Sequence, residues 1–187
     1  KTHQGTFDIS FLRPVPNLII MAPRDENQLQ HMLYTAVNIE KPVAIRYLRG
    51  EIVGVKMDKN LQMIEIRKAE IMRKGKDVLI IATGPIVYKA LSAAEILSKN
   101  GIDTGVIDAC YIKPLDEKLL LNEINRYKKV ITLEEHVLAG GFGSSIVELL
   151  NDNNINNIEI IRMGLPDHFI PHGTQKKIRS IYGLDVN

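Results

Sequence analysis

Asn17-Leu18-Ile19-Ile20-Met21-Ala22-Pro23-Arg24-Asp25-Glu26-Asn27-Gln28 is the stretch from which the architecture can be read. The apolar run over 17–22, closed by Pro23, has the length and flanks of a buried strand. Asp25 followed by Gln28 has the spacing of a capping box. Leu29, Met32, Leu33, Ala36 and Val37 then recur at helical spacing, which predicts a helix with those side chains on one apolar face. Pro42-Val43-Ala44-Ile45-Arg46-Tyr47 predicts the next strand. Strand, helix and strand of this length form a parallel βαβ unit, and Arg49-Gly50 closes it.

Working outward, the pattern weakens from Glu51 to about Arg67. This reads as a linker with short strand pieces at 64–66 and 69–72. From Lys76 the alternation resumes, and strands are predicted at 78–82, 104–109, 129–133 and 157–162. Between them lie a helix carrying Val87, Ala90, Leu91, Ala94 and Leu97, stopped by Asn100-Gly101. A second follows the cap Asp116 with Leu119, Leu120 and Ile124, and a third opens after Gly140-Gly141-Phe142-Gly143-Ser144. Thr174 caps the last. Alternating strands and helices predict an α/β fold with a mostly parallel sheet covered on both faces.

The 187 residues suffice for one full domain and part of another. A net charge of +2 is too small to point to nucleic acid or an anionic membrane. No apolar run approaches the ~20 residues that span a bilayer, and nothing after Lys1 has the pattern of a signal peptide. The single cysteine, Cys110, excludes an internal disulfide and a cysteine metal cluster. It reads as a buried, inert thiol and fits a reducing compartment. The chain starts at Lys1 with no initiator methionine, and the loop Thr2-His3-Gln4-Gly5 has no strand before it. A fragment of a larger enzyme is therefore expected.

Several residues could carry chemistry. His3 is either a proton shuttle or hydrogen-bond donor to a substrate oxygen, or an exposed histidine at a frayed terminus. Arg46 and Arg49 follow a strand at the end where open α/β sheets bind ligands. Arginine there holds a phosphate with two parallel hydrogen bonds, or else is a solvated charge. Gly140–Ser144 is an anion cradle at a helix start, or a tight turn needing glycine. It lacks the lysine of a phosphate-binding loop. Glu134, Glu135 and His136 offer metal-type ligands, but neighbours on a strand face opposite ways, so contacts to an adjoining domain are expected instead. The loop Leu165–Gly173, with two prolines and two histidines, reads as a rigid structural or interdomain element because nothing nucleophilic accompanies it.

Taken in order, these pieces resemble the thiamine diphosphate-dependent transketolase superfamily. The resemblance rests on the histidine-glutamine loop, Leu12-Arg13-Pro14-Val15-Pro16-Asn17, Ala22-Pro23 and Arg49-Gly50. Within it they are most similar to the 1-deoxy-D-xylulose-5-phosphate synthase family. That match uses Thr2–Asp8, Arg46–Gly50, Lys113-Pro114-Leu115-Asp116, Glu134-Glu135-His136 with Gly140–Ser144, and Gly164–Asp167 with Phe169 and His172-Gly173. The resemblance implies that residues 1–66 are the carboxyl-terminal part of a pyrimidine-binding domain plus a linker. Residues 67–187 would be a transketolase C-terminal-type α/β domain.

The implied activity is a transferase of the transketolase class. It condenses pyruvate with glyceraldehyde 3-phosphate, with loss of CO2, to 1-deoxy-D-xylulose 5-phosphate for isoprenoid, thiamine and pyridoxal biosynthesis. The implied setting is a homodimer in the bacterial cytoplasm or a plastid, bound to the remainder of the same polypeptide, without nucleic-acid or membrane partners. Thiamine diphosphate and Mg²⁺ are the implied cofactors of the intact enzyme. Their main binding motifs are absent from this chain, so no cofactor-binding residue and no metal ligand is assigned here. By motif, His3 would sit beside the cofactor's reactive carbon and bond substrate oxygens, and Arg49 would clamp the phosphate of the acceptor aldehyde. Leu48 replaces a proline common among relatives, which loosens the turn and leaves Arg49 in place. The fragment alone is expected to be inactive. The alternative is a C-terminal subunit or dimerisation module of a split transketolase or a 2-oxoacid dehydrogenase beta-like enzyme.

Overall fold

The computed structural model describes residues 5–186. The short helix α1 (Asp8–Leu12) leads to β1 (Ile19–Met21), α2 (Glu26–Val37) and β2 (Val43–Ile45). β1 and β2 pair in parallel, so the βαβ unit is present, and every residue of β1 is buried. Asp25 caps α2 by accepting Gln28 N–H at 2.8 Å. The reciprocal bond of a capping box is displaced by one residue: Gln28 Oε1 accepts Arg24 N–H at 2.7 Å.

The buried face of α2 is only in part the expected one: Met32 is buried as read, but the stripe is rotated. Gln28, His31, Met32 and Thr35 are inside, whereas Leu33 is 50% and Val37 80% exposed. The reason is the irregular segment after β2, which lies along α2 and satisfies its polar side. Gln62 N–H donates to His31 Nδ1 at 3.1 Å, which leaves the proton on Nε2 to donate to Asp58 Oδ2 at 2.9 Å. Ile64 N–H donates to Thr35 Oγ1 at 2.8 Å, and Glu26 accepts Gly54 and Val55 N–H at 2.7 and 2.8 Å. Residues 64–66 are therefore strapped to a helix rather than paired as a strand.

The second unit is built from β3 (Glu70–Arg73), β4 (Val78–Ala82), α3 (Val87–Lys99), β5 (Thr104–Asp108), β6 (Tyr111–Lys113), α4 (Glu117–Ile124), β7 (Lys129–Val137), α5 (Phe142–Asp152), β8 (Glu159–Leu165) and α6 (Gln175–Ile181). Five strands form a sheet in the order β3-β5-β4-β7-β8. β5, β4, β7 and β8 run parallel and β3 is antiparallel, so the sheet is mostly parallel as expected. Asp116 and Thr174 cap α4 and α6, and Gly101 takes a φ of +80° to stop α3. β6, unforeseen from sequence, turns back after Cys110 and joins β1 antiparallel, giving a second sheet in the order β2-β1-β6. Cys110 sits in that turn, buried and unpaired, and burial pushes its thiol pKa well up.

The two units share one core. Ile9 and Ile20 of the first pack with Leu79, Ile81, Phe142 and Ile146 of the second. Among the described residues no helix is long and apolar enough to cross a membrane.

Candidate functional site

The site builds up from the carboxyl end of β2. The parallel register carries Arg46 and Arg49 just past the strand, but the two guanidinium groups have different fates. Arg46 is held by the protein: Nε meets Asp8 Oδ2 at 3.0 Å, and one Nη donates to Gly5 O at 2.9 Å and to Glu135 O at 2.7 Å. Its role is to pin the leading loop against the end of β7, so it is unavailable to a ligand. Arg49 is exposed. Its backbone is fixed from the other unit, where Gln175 Nε2 donates to Arg49 O at 3.1 Å. His3 lies outside the described residues; the loop that follows it is described from Gly5 onward.

That loop docks on the extension of β7. Val137 N–H donates to Thr6 O at 3.0 Å and Ile9 N–H to His136 Nε2 at 3.0 Å. Accepting there puts the His136 proton on Nδ1, which donates to Val137 O at 2.8 Å. Burial lowers the His136 pKa, and the nearby Arg46 charge lowers it further. His136 is thus a neutral structural bridge. The carboxyl end of β7 borders the crevice where open α/β sheets take ligands, and residues 6–9 bond to it there.

Glu134, Glu135 and His136 are not beyond a strand, as the sequence suggested, but within it, because β7 runs on to Val137. Alternation puts Glu134 and His136 on one face, with His136 Nδ1 3.8 Å from Glu134 Oε2, and turns Glu135 the other way, so the three do not form a metal-type cluster. Glu134 is wholly buried and accepts Phe142 and Gly143 N–H at 2.7 and 2.8 Å. The anion cradle of the Gly140–Ser144 turn therefore exists and is filled from inside. A Cβ on Gly141 would lie 2.3 Å from Glu134 Oε2 and 2.6 Å from Val137 O, so glycine is needed for the close approach. Burial pushes the Glu134 pKa up to about 7 against those two donated bonds. Glu135 faces the other way and holds Arg179 by two bonds of 2.7 and 3.0 Å. Among the described residues no group of three His, Cys, Asp or Glu side chains could hold a metal ion.

A cleft of about 420 Å³ lies at the seam between β2, α2 and the second unit. Arg24, Asp25, Tyr47, Tyr88, Gln175 and Arg179 line it. Tyr88 donates its hydroxyl to Asp25 Oδ2 at 2.7 Å, and burial with that bond pushes its pKa up to about 12. Arg24 spans the seam as well, bonding Asp108 Oδ2 at 2.8 Å and Glu70. The loop Leu165–Gly173 lies over the leading loop, with Phe169 edge-on to Phe7 at 5.7 Å between ring centroids. Gln175 and Arg179 carried no signal in the sequence beyond their place after the Thr174 cap.

Residues 67–187 match the family described as the transketolase C-terminal domain, and residues 1–53 the transketolase pyrimidine-binding domain. A 1-deoxy-D-xylulose-5-phosphate synthase of Halothermothrix orenii is 56% identical over 187 residues, covering 100% of this chain and 29% of that protein. One from Desulforudis audaxviator is 50% identical over 186 residues, again 100% of this chain and 29% of that protein. The chain thus spans less than a third of the length of these relatives. Among solved structures, a split-gene transketolase described as an inactive beta4 tetramer superposes with a TM-score of 0.84 at 31% identity, over 98% of this chain and 59% of that one. A transketolase of Campylobacter jejuni shares the fold, with a TM-score of 0.67 at 20% identity, over 99% of this chain and 27% of that one.

Proposed function

This chain belongs to the transketolase family, and on that premise we propose that it is the carboxyl-terminal part of a 1-deoxy-D-xylulose-5-phosphate synthase. The proposed reaction joins pyruvate to glyceraldehyde 3-phosphate with loss of CO2. The observation that carries this reading is 56% identity, across both units, to a protein of that name. The division of labour in the site supports it. Arg46 is consumed in holding the loop that follows His3, while Arg49 is exposed at the ligand end of the same strand.

In this reading Arg49 binds the acceptor's phosphate through paired N–H donors, which suit a dianion. His3 is proposed to deliver hydrogen bonds to substrate oxygens as charge develops on them. Residues 1–66 would be the pyrimidine-domain part with its linker, and residues 67–187 the C-terminal domain. Thiamine diphosphate would supply the carbon–carbon chemistry. Among the described residues no group of three His, Cys, Asp or Glu side chains could hold a metal ion, so no step is routed through a group held here. The proposed setting is a homodimer in the bacterial cytoplasm or a plastid.

A second reading, a subunit of a split transketolase, is favoured by the fit to the beta4 tetramer, but at 31% rather than 56% identity. One experiment separates the readings. Supplied with thiamine diphosphate, Mg²⁺, pyruvate and glyceraldehyde 3-phosphate, this chain alone should give no product. A polypeptide of the relatives' length that ends in this chain should release CO2 and form 1-deoxy-D-xylulose 5-phosphate. Turnover by the chain alone, or use of a ketose phosphate donor in place of pyruvate, would overturn the proposal.

A further inference from the structure

Besides the end of β7, the second unit meets the leading loop and the turn after β2 through Phe169 and Gln175. Phe169, in the loop before α6, packs edge-on against Phe7 in the leading loop. Gln175, the first residue of α6, reaches across to the turn after β2 and donates from Nε2 to the carbonyl of Arg49. Its amide lies flat against the neighbouring glycine: a Cβ on Gly50 would come within 2.7 Å of both amide heteroatoms. One turn further along α6, Arg179 holds Glu135 through two bonds, and the Glu135 carbonyl in turn receives Arg46. α6 therefore touches this segment directly at Arg49, through Gln175, and only by way of Glu135 at Arg46.

We propose that Gln175 is a positioning residue: its amide fixes the Arg49 backbone so that the exposed guanidinium points where the acceptor's phosphate binds. The inference rests on the reading of Arg49 as the phosphate clamp. The physical argument is one of freedom. The last backbone bond to β1 is made by Arg46 N–H to Met21 O at 2.8 Å, and the register with β1 ends at Ile45, so Arg49 lies beyond the ladder. An arginine on such a turn samples many directions unless its backbone is held from outside. Gln175 provides that hold without contacting the phosphate itself. A side chain that orients a clamp acts on binding of the clamped group more than on the chemistry.

The test uses a polypeptide of the relatives' length with Gln175→Met, which keeps the side chain's size and removes the donor. The readout is kcat/KM for glyceraldehyde 3-phosphate divided by kcat/KM for unphosphorylated glyceraldehyde. Loss of one hydrogen bond should lower that ratio about 5- to 10-fold, through KM for the phosphorylated acceptor. Arg49→Ala, measured alongside, should lower it further. If Arg49→Ala lowers the ratio and Gln175→Met leaves it where it was, the positioning role is wrong while the clamp stands. If Gln175→Met depresses both acceptors equally, its role is structural and the inference likewise fails. If Arg49→Ala itself leaves the ratio in place, the reading of Arg49 is what has failed.

Discussion

In the five-stranded sheet all of β5 and all but the first residue of β4 are buried; in the three-stranded sheet β2 has no fully buried residue. The surface shows the same contrast. Among the described residues, ten of the sixteen large exposed hydrophobic side chains fall between Phe11 and Met63, which is about a third of the chain. The second unit buries its central strands β4 and β5 and leaves its edge strands β3 and β8 largely open, whereas the first leaves one helix face and the linker's apolar side chains open. A region closed on itself can serve as a rigid mount, and a region left open can present side chains. That is how the molecule divides the work: Glu134 and His136 are sealed in the second unit, and Arg49 stands exposed on the first.

The strongest way to break this comparison is to damage the mount. Phe142 is fully buried where β7, α5 and the first unit meet. Phe142→Ala should cost about 3–5 kcal/mol, measured by urea unfolding of this chain. A loss below about 1.5 kcal/mol would mean that the second unit is not the close-packed body its burial implies.

Next in size is a pH effect inside the same unit. The Glu134 pKa stands at about 7 in the fold against an ordinary 4.5, because burial outweighs the two N–H donors. Between those values the folded chain holds a proton that the unfolded chain has released, so this group's contribution falls as pH rises from 4.5 to 7. The full change is about 3 kcal/mol. His136, whose pKa is lowered, contributes with opposite sign and loses stability as pH falls below its ordinary value. Comparing Glu134→Gln with the parent isolates the carboxyl. The variant's stability relative to the parent should rise by about 3 kcal/mol between pH 5 and pH 8. A flat difference would show that the two N–H bonds keep Glu134 ionised throughout.

Much of this architecture was legible in the residues because it is local. The run at 17–22, the caps at Asp25, Asp116 and Thr174, and the stop at Gly101 each depend on neighbours within a few positions; the caps and the stop stand as read, and the run holds a strand shortened to Ile19–Met21. What stayed hidden depends on distant partners. β6 is three residues long, and Tyr111 finds its partner at Met21, ninety positions back. The length of β7 is set by Thr6 and Leu165 meeting Val137. At the site, the place after a strand pointed to Arg46 and Arg49 alike, and only the family motif set Arg49 apart; that Arg46 is bonded within the protein could not be read. Those bonds come from Gly5, Asp8 and Glu135, which only the fold assembles.

The smallest expected effect tests the misread helix face. Apolar periodicity on α2 pointed to Leu33 and Val37 beside Met32 as core residues; Met32 is buried, but Leu33 and Val37 are exposed and the helix buries Gln28, His31 and Thr35 as well. The polar choice is stable because His31 and Thr35 bond the linker at Asp58, Gln62 and Ile64, and Gln28 bonds Asp108 and Cys110. If that accounting is right, Leu33→Ser and Val37→Ser should each shift the stability of this chain by no more than about 0.5 kcal/mol. Met32→Ala, one position from Leu33 but fully buried, should cost about 2–5 kcal/mol. The three substitutions sit within one and a half turns of the same helix, so propensity differences among them are small beside burial. Equal losses at Leu33 and Met32 in urea unfolding would show that α2 buries its apolar stripe after all, and the contrast between an open first unit and a closed second would go with it.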